Sequence, residues 1–293
     1  MSDQVVCYRH HDRVAGVRCQ RCERPICPAC MRQASVGFQC PECVAARPQR
    51  VVTSSQLFRG HHEVVVGKVI IAINVAVWAL MTVLSRNPYG AGGPVLEHGA
   101  LWGPLVASGE WWRLFSGAFL HSGIFHLGMN MLLLWFLSQE LEPALGRLRF
   151  AVLYVVSLIG GSLGVMVIDP LAPTVGASGA VFGLMGALIV LQLRAKQNPW
   201  QSGIGGLVAI NLVLTFLIPG ISIGGHIGGL LAGAAAGAVL QPRTWPQQGA
   251  VLRTTVVVGL GATLLVAAVA AANTFTSAPL LSVLTGSSAL TGF

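Results

Sequence analysis

Apolar residues along this chain gather into runs that are too long and too evenly apolar for a soluble domain. After a polar opening of about 66 residues, such runs fall at about 69–84, 117–138, 150–168, 177–193, 204–218, 221–240 and 254–272. Most reach the roughly 17 to 25 residues that cross a bilayer as a helix. The pattern predicts an all-α polytopic membrane protein with seven spans. Between the first two spans lies a stretch of about thirty residues, Arg86 to Ser116, rich in Gly, Pro and Trp. Its Trp102, Trp111 and Trp112 suit a position at the membrane surface.

Composition agrees, with 54% hydrophobic and 10% charged residues, against roughly 25% charged in a soluble protein. Ten of the 18 Lys and Arg lie before residue 69, so a basic polar head precedes an apolar body. That head holds no apolar run of signal-peptide length and should stay on the side where it is made. With the head cytoplasmic, the inner loops carry Arg147, Arg149, Arg194, Lys196, Arg243 and Arg253, and the outer loops only Arg86 and Arg113. The excess of positive charge inside favours a cytoplasmic N-terminus and an outer C-terminus, in the plasma membrane.

All seven cysteines lie in the head, as Cys7-x2-His10, Cys19-x2-Cys22, Cys27-x2-Cys30 and Cys40-x2-Cys43. The x2 spacing turns two side chains toward one ion, and thiolate with imidazole suits zinc. Eight ligands make two tetrahedral sites, so two structural Zn2+ are expected. A disulfide framework would leave one cysteine over and needs an oxidising compartment. The spacing resembles a cross-braced B-box zinc finger, in which the first and third knuckles share one ion and the second and fourth the other. The final Cys-Cys pair departs from that family, so consecutive pairing stays open, as does His11 in place of His10. Arg9, Arg13, Arg18, Arg21, Arg24 and Arg32 follow no helix-borne recognition pattern. No nucleic acid is expected, and a cytoplasmic protein or an anionic lipid surface is the favoured partner.

Topology places the unusual polar residues of the body at one depth. His121, His126 and Asn130 open the second span, Ser178 in Gly176-Ala177-Ser178-Gly179 opens the fourth, and His226 opens the sixth. All three spans start outside. A serine needs a base, and histidine is the usual one. Gly225, Gly229, Gly233 and Gly237 recur every fourth residue after His226, and Gly179, Gly183 and Gly186 follow Ser178. Small residues at this spacing let two transmembrane backbones approach closely. His126 and Asn130, four apart, share a helix face and could offer N–H groups to an oxyanion, with the backbone N–H of Ser178. His121 falls on another face and reads as structural. An HExxH pattern and an intramembrane aspartate pair are both absent, which disfavours metallo and aspartyl mechanisms. Nothing acidic flanks His226, which leaves a Ser-His dyad.

Together with Glu110-Trp111-Trp112-Arg113, Glu140-x-Glu142, Gly146 and Arg147, these motifs resemble the rhomboid intramembrane serine proteases over roughly residues 67 to 240. The resemblance implies a six-helix core plus a seventh C-terminal helix. It implies Ser178 as nucleophile, His226 as base and then acid, His126 and Asn130 at the oxyanion, and no cofactor for catalysis. It also implies Phe182 packed on the catalytic imidazole, a structural role for Trp112 and Arg113, and transmembrane proteins as substrates within the bilayer. The expected layout is a zinc domain at 1–45, a linker at 46–66, the core at 67–242, a loop and seventh helix at 243–275, and a polar tail at 276–293.

Overall fold

The computed structural model describes residues 5–34, 37–46, 63–87, 92–240 and 249–274. Most of the expected linker, the loop at 241–248 with Arg243, and the tail from 275 lie outside the described residues. The chain divides into two units, Met1–His62 and Glu63–Phe293.

In the first unit, β1 (Val17–Arg18) pairs antiparallel with β2 (Pro25–Ile26), and β3 (Arg32–Gln33) with β4 (Phe38–Gln39). A short helix α1 (Pro41–Ala46) follows. The interior consists of Cys7, Cys19, Cys27, Cys30 and Cys40 around a single large aliphatic side chain, Ile26. So small an apolar centre cannot offset the conformational entropy of ordering forty residues. A fold of this kind ordinarily draws its folding free energy from bound metal or from cross-links.

Among its described residues the second unit holds seven apolar helices: α2 (Val66–Ser85), α6 (Ile124–Leu145), α7 (Arg147–Ile168), α8 (Ser178–Arg194), α9 (Ile204–Leu217), α10 (Ile223–Leu240) and α11 (Ala250–Thr274). Three short helices, α3 (Pro94–Gly99), α4 (Gly103–Ala107) and α5 (Arg113–Ser116), lie between α2 and α6. By length and composition α2, α7, α10 and α11 are long enough to cross a membrane, α6 joins them if counted with the preceding bent segment, and α8 and α9 are shorter. The protein is an integral multi-pass membrane protein.

The second span differs from its expected bounds at both ends. Arg113–Phe119 and Ile124–Leu145 meet at 96°, with the chain turning through Gly123 at φ +110°. At the far end the helix continues to Leu145 through the polar stretch that sequence alone reads as loop. Glu142 explains the extension. Its buried carboxylate accepts hydrogen bonds from the backbone N–H groups of Val65, Val66 and Gly67 at 2.8, 3.0 and 2.9 Å. These are donors that the start of α2 leaves unpaired, and a negative charge there also meets the positive end of the helix dipole.

Helix α10 is wedged between α7 and α8, and glycine on all three permits it. A Cβ on Gly229 would lie 2.7 Å from the Gly179 carbonyl carbon, and one on Gly237 2.8 Å from Ala187 Cα. A Cβ on Gly233 would overlap the backbone of Gly183. A second row of small residues, Gly224, Gly228 and Ala232, meets Gly160 and Gly164 of α7. The two rows on α10 give the molecule its dense centre, with Phe150, Leu153, Leu184 and Met185 buried around it.

Candidate active site

Ser178 is the first residue of α8 and His226 sits in the first turn of α10. Because Gly225 and Gly229 lie against Gly179, these two helix ends are held in contact. The Ser178 Oγ and His226 Nε2 are 2.8 Å apart, a hydrogen bond in which the hydroxyl donates when Nε2 is bare. The Phe182 ring, one turn further along α8, stacks on the imidazole with centroids 4.1 Å apart and planes 19° from parallel. On its other nitrogen, Nδ1 lies 2.6 Å from the hydroxyl of Thr215 in α9. No sequence motif marks Thr215. One available signal was that Asn211 and Thr215, four apart, are the polar residues of an otherwise apolar helix.

His126 lies against Gly176, two residues before Ser178. A Cβ on Gly176 would come within 2.6 Å of His126 Nε2, and Gly176 has φ +121°, so only glycine fits there without strain. Ser122 Oγ is 3.2 Å from His126 Nδ1. Asn130 spends one amide N–H on the His126 carbonyl of its own helix at 2.9 Å, which leaves its second N–H. His121 is fully buried outside the helix, where its Nε2 accepts from the Ala177 N–H at 3.5 Å and its ring meets His126 edge-on. The first N–H groups of α8, beginning with Ser178, have no acceptor inside their own helix. Such N–H groups can receive negative charge.

The segment before Ser178 is tied down by the stretch between α2 and α6. Leu101 and Thr174 exchange backbone hydrogen bonds at 3.0 and 2.8 Å, and Gly176 N–H donates to the Gly117 carbonyl at 2.9 Å. That stretch is itself braced by Arg113, whose buried guanidinium donates to the carbonyls of Glu97 and Ala100 and pairs with Glu110 at 2.6 Å. Arg113 is therefore no free loop charge. Trp112 donates its indole N–H to the His98 carbonyl at 3.2 Å. Ser178, Ser162, Thr174 and Ser222 line a pocket of about 30 Å³ together with small and aliphatic residues. That is room for water, with hydroxyls to hold it.

In the head the eight ligand atoms form two groups, Cys7, His10, Cys27 and Cys30, and Cys19, Cys22, Cys40 and Cys43, each within 4.8 Å. The grouping is cross-braced, and His10 rather than His11 belongs to it. His10 Nδ1 lies 4.0, 3.5 and 3.3 Å from the sulfurs of Cys7, Cys27 and Cys30, and Cys22 and Cys40 sulfurs are 3.7 Å apart. Tetrahedral ligands at about 2.3 Å from zinc would be about 3.8 Å apart, so both groups fit that ion. Burial raises the Cys7 thiol, but backbone N–H groups of Arg9, Cys27 and His10 outweigh it and bring it down to about 6. Cys30 is pushed up to about 11, by burial and then by the Cys7 and Cys27 sulfurs beside it. One thiolate forms readily in this group and the next is opposed by it, a conflict that a divalent cation resolves.

Residues 108–243 match the family model described as the Rhomboid domain. Over 136 residues the chain is 38% identical to "Rhomboid protease GluP" of Bacillus subtilis (strain 168), covering 45% of this chain and 27% of that protein. It is 37% identical over 126 residues to "Putative rhomboid protease YdcA" of the same organism, 42% of this chain and 63% of the relative. It is also 38% identical over 140 residues to "Inactive RHOMBOID-like protein 8" of Arabidopsis thaliana, 46% of this chain and 40% of the relative. The chain thus spans less than two thirds of the length of each of these relatives, and relatives of both active and inactive description are among them.

Proposed function

From the premise that this chain carries a rhomboid domain at residues 108–243, we propose that it is an intramembrane serine endopeptidase. In this reading it cleaves peptide bonds in or next to transmembrane helices of membrane-protein substrates. The observation that carries the proposal is the 2.8 Å approach of Ser178 Oγ to His226 Nε2 at a helix N-terminus. His226 takes the hydroxyl proton as Ser178 attacks the scissile carbonyl, and the C–O bond forms as the carbonyl oxygen becomes negative. That charge is met by the backbone N–H of Ser178, by His126 and by the free amide N–H of Asn130. His226 then gives its proton to the leaving amine, the C–N bond breaks, and an acyl-enzyme remains. A water activated by the same imidazole hydrolyses the ester and restores Ser178. The step needs no cofactor.

The orientation that goes with this reading has the head cytoplasmic, the C-terminus outside and the dyad near the outer face of the plasma membrane. The head holds two structural Zn2+ through Cys7, His10, Cys27 and Cys30, and through Cys19, Cys22, Cys40 and Cys43. Zinc there supplies folding free energy and takes no part in proteolysis.

The likeness to a relative described as inactive supports a second reading, a membrane protein that binds its clients without cutting them. A serine-directed fluorophosphonate distinguishes the two. Purified protein in lipid vesicles should be labelled, and a reporter membrane protein cleaved, with both lost in Ser178→Ala and His226→Ala. Unlabelled wild-type protein, or cleavage that survives in Ser178→Ala, would discard the protease.

A further inference from the structure

His226 has two ring nitrogens, and which one carries the proton decides whether it can act as a base toward Ser178. Among the described residues its ring partners are both hydroxyls, Ser178 at Nε2 and Thr215 at Nδ1. Thr215 Oγ1 is also 2.7 Å from the Asn211 carbonyl oxygen, one turn back in α9. A hydroxyl has one proton, and a carbonyl can only accept. If that proton goes to Asn211, Thr215 turns a lone pair to His226 and must receive the N–H of Nδ1. Nε2 is then bare and accepts from Ser178, so all three contacts of the chain Ser178, His226, Thr215, Asn211 are hydrogen bonds.

The opposite tautomer breaks this chain. Thr215 would then donate to Nδ1 and lose its bond to Asn211, while Nε2–H would donate to Ser178 and leave the serine proton pointing elsewhere. The arrangement with Nδ1–H satisfies one more contact. Each such bond in a site shielded from water is costly to leave unmade. Thr215 is itself 2% exposed, although Ile210, Val213, Phe216 and Leu217 around it on α9 lie open to the surroundings. Its placement is therefore specific to the face that meets α10.

We propose that Thr215 is a positioning residue that holds His226 in the tautomer with a bare Nε2. It does this by accepting the Nδ1–H while committing its own proton to the Asn211 carbonyl. It occupies the place beside the imidazole where a serine protease triad has a carboxylate, and it does so without charge. When His226 becomes imidazolium during attack, the same lone pair keeps Nδ1–H paired. Phe182 stacked on the ring restrains the remaining rotation.

The proposal rests on the reading of Ser178 and His226 as nucleophile and base, and the test separates the two. Nitrogen-15 NMR of histidine-labelled protein in lipid, with the His226 signals assigned by their loss in His226→Ala, reports the tautomer without any substrate. Wild type should show protonated Nδ1 and bare Nε2. Thr215→Val keeps the shape and removes the acceptor. It should lower kcat about 10- to 100-fold with KM within about twofold, and shift the NMR signals toward the Nε2–H form. Thr215→Ser should restore both to within about threefold of wild type, which a purely steric role would not require. A wild-type His226 protonated on Nε2, or a Thr215→Val enzyme with unchanged kcat and tautomer, overturns the proposal. If Thr215→Val does not fold, the wild-type spectrum alone still decides. Failure of Ser178→Ala to abolish cleavage would instead overturn the protease reading.

Discussion

Replacing Gly229 by alanine tests whether the glycine rows set the geometry of the dyad. The added methyl would lie 2.7 Å from the carbonyl carbon of Gly179 and 3.0 Å from its Cα, against backbone that cannot turn aside. Carbon atoms pack at about 3.5 to 4.0 Å, so α8 and α10 must part by about 1 Å where Gly179 adjoins Ser178. Overpacking of this kind costs about 1 to 3 kcal/mol of stability. The larger effect falls on the 2.8 Å hydrogen bond from Ser178 to His226, because a misplacement of about 1 Å lowers a rate on the order of 100-fold. Cleavage of a reporter membrane protein in vesicles should therefore fall far more than the thermal midpoint does. Gly259→Ala in α11, where a Cβ would meet nothing within 4 Å, is the control and should lower neither, the midpoint if anything rising with the helix propensity of alanine. Wild-type kcat and stability in Gly229→Ala would refute the idea that close backbone approach positions the catalytic pair.

Three further outcomes are expected. Gly176→Ala, which forces a side chain onto φ +121° and against His126, should cost about 1 to 3 kcal/mol in local strain. It should also lower kcat by roughly 10- to 100-fold if His126 is one of the proposed oxyanion donors, measured as kcat against KM on the same reporter. Glu142→Gln replaces one of the two oxygens that accept from Val65, Val66 and Gly67 with an NH2 that cannot accept, and should destabilise the core by about 2 kcal/mol, seen as a lower thermal midpoint in detergent. Strong chelation should release two zinc ions per chain and abolish hydrogen-exchange protection across residues 5–46 while cleavage of the reporter continues; fewer than two ions released would count against the two-site scheme.

How much of this was legible in the sequence depended on the range of the interaction involved. The seven apolar helices could be read because burial in lipid acts on each residue separately. The true ends of the second helix could not, because both depend on distant partners. Its start is delayed to Ile124 by the right-angle turn at Gly123, and its end is carried past Glu140 because Glu142 caps another helix. In the head, the x2 spacing showed four ligand pairs but not their grouping, since spacing constrains neighbours and cross-bracing is a property of the folded chain. The i, i+4 spacing is plain from Gly225 to Gly237, and Gly224 and Gly228, which meet Gly160 and Gly164, carry the same spacing one residue earlier.

Thr215 marks the point where local reasoning stops. A threonine four residues after a carbonyl in an apolar helix ordinarily bonds back to its own helix, and Thr215 does so with Asn211. In the sequence that habit looks like the whole explanation. In the fold the same back-bond commits the hydroxyl proton and frees the lone pair that faces His226. The ordinary structural role and the proposed positioning role are thus one hydrogen-bond pattern seen from two sides. Separating them requires the third helix to be in place. The two glycine rows put it there, by letting α10 approach α7 and α8 so closely that His226 reaches Ser178 on one side while α9 closes over its other nitrogen.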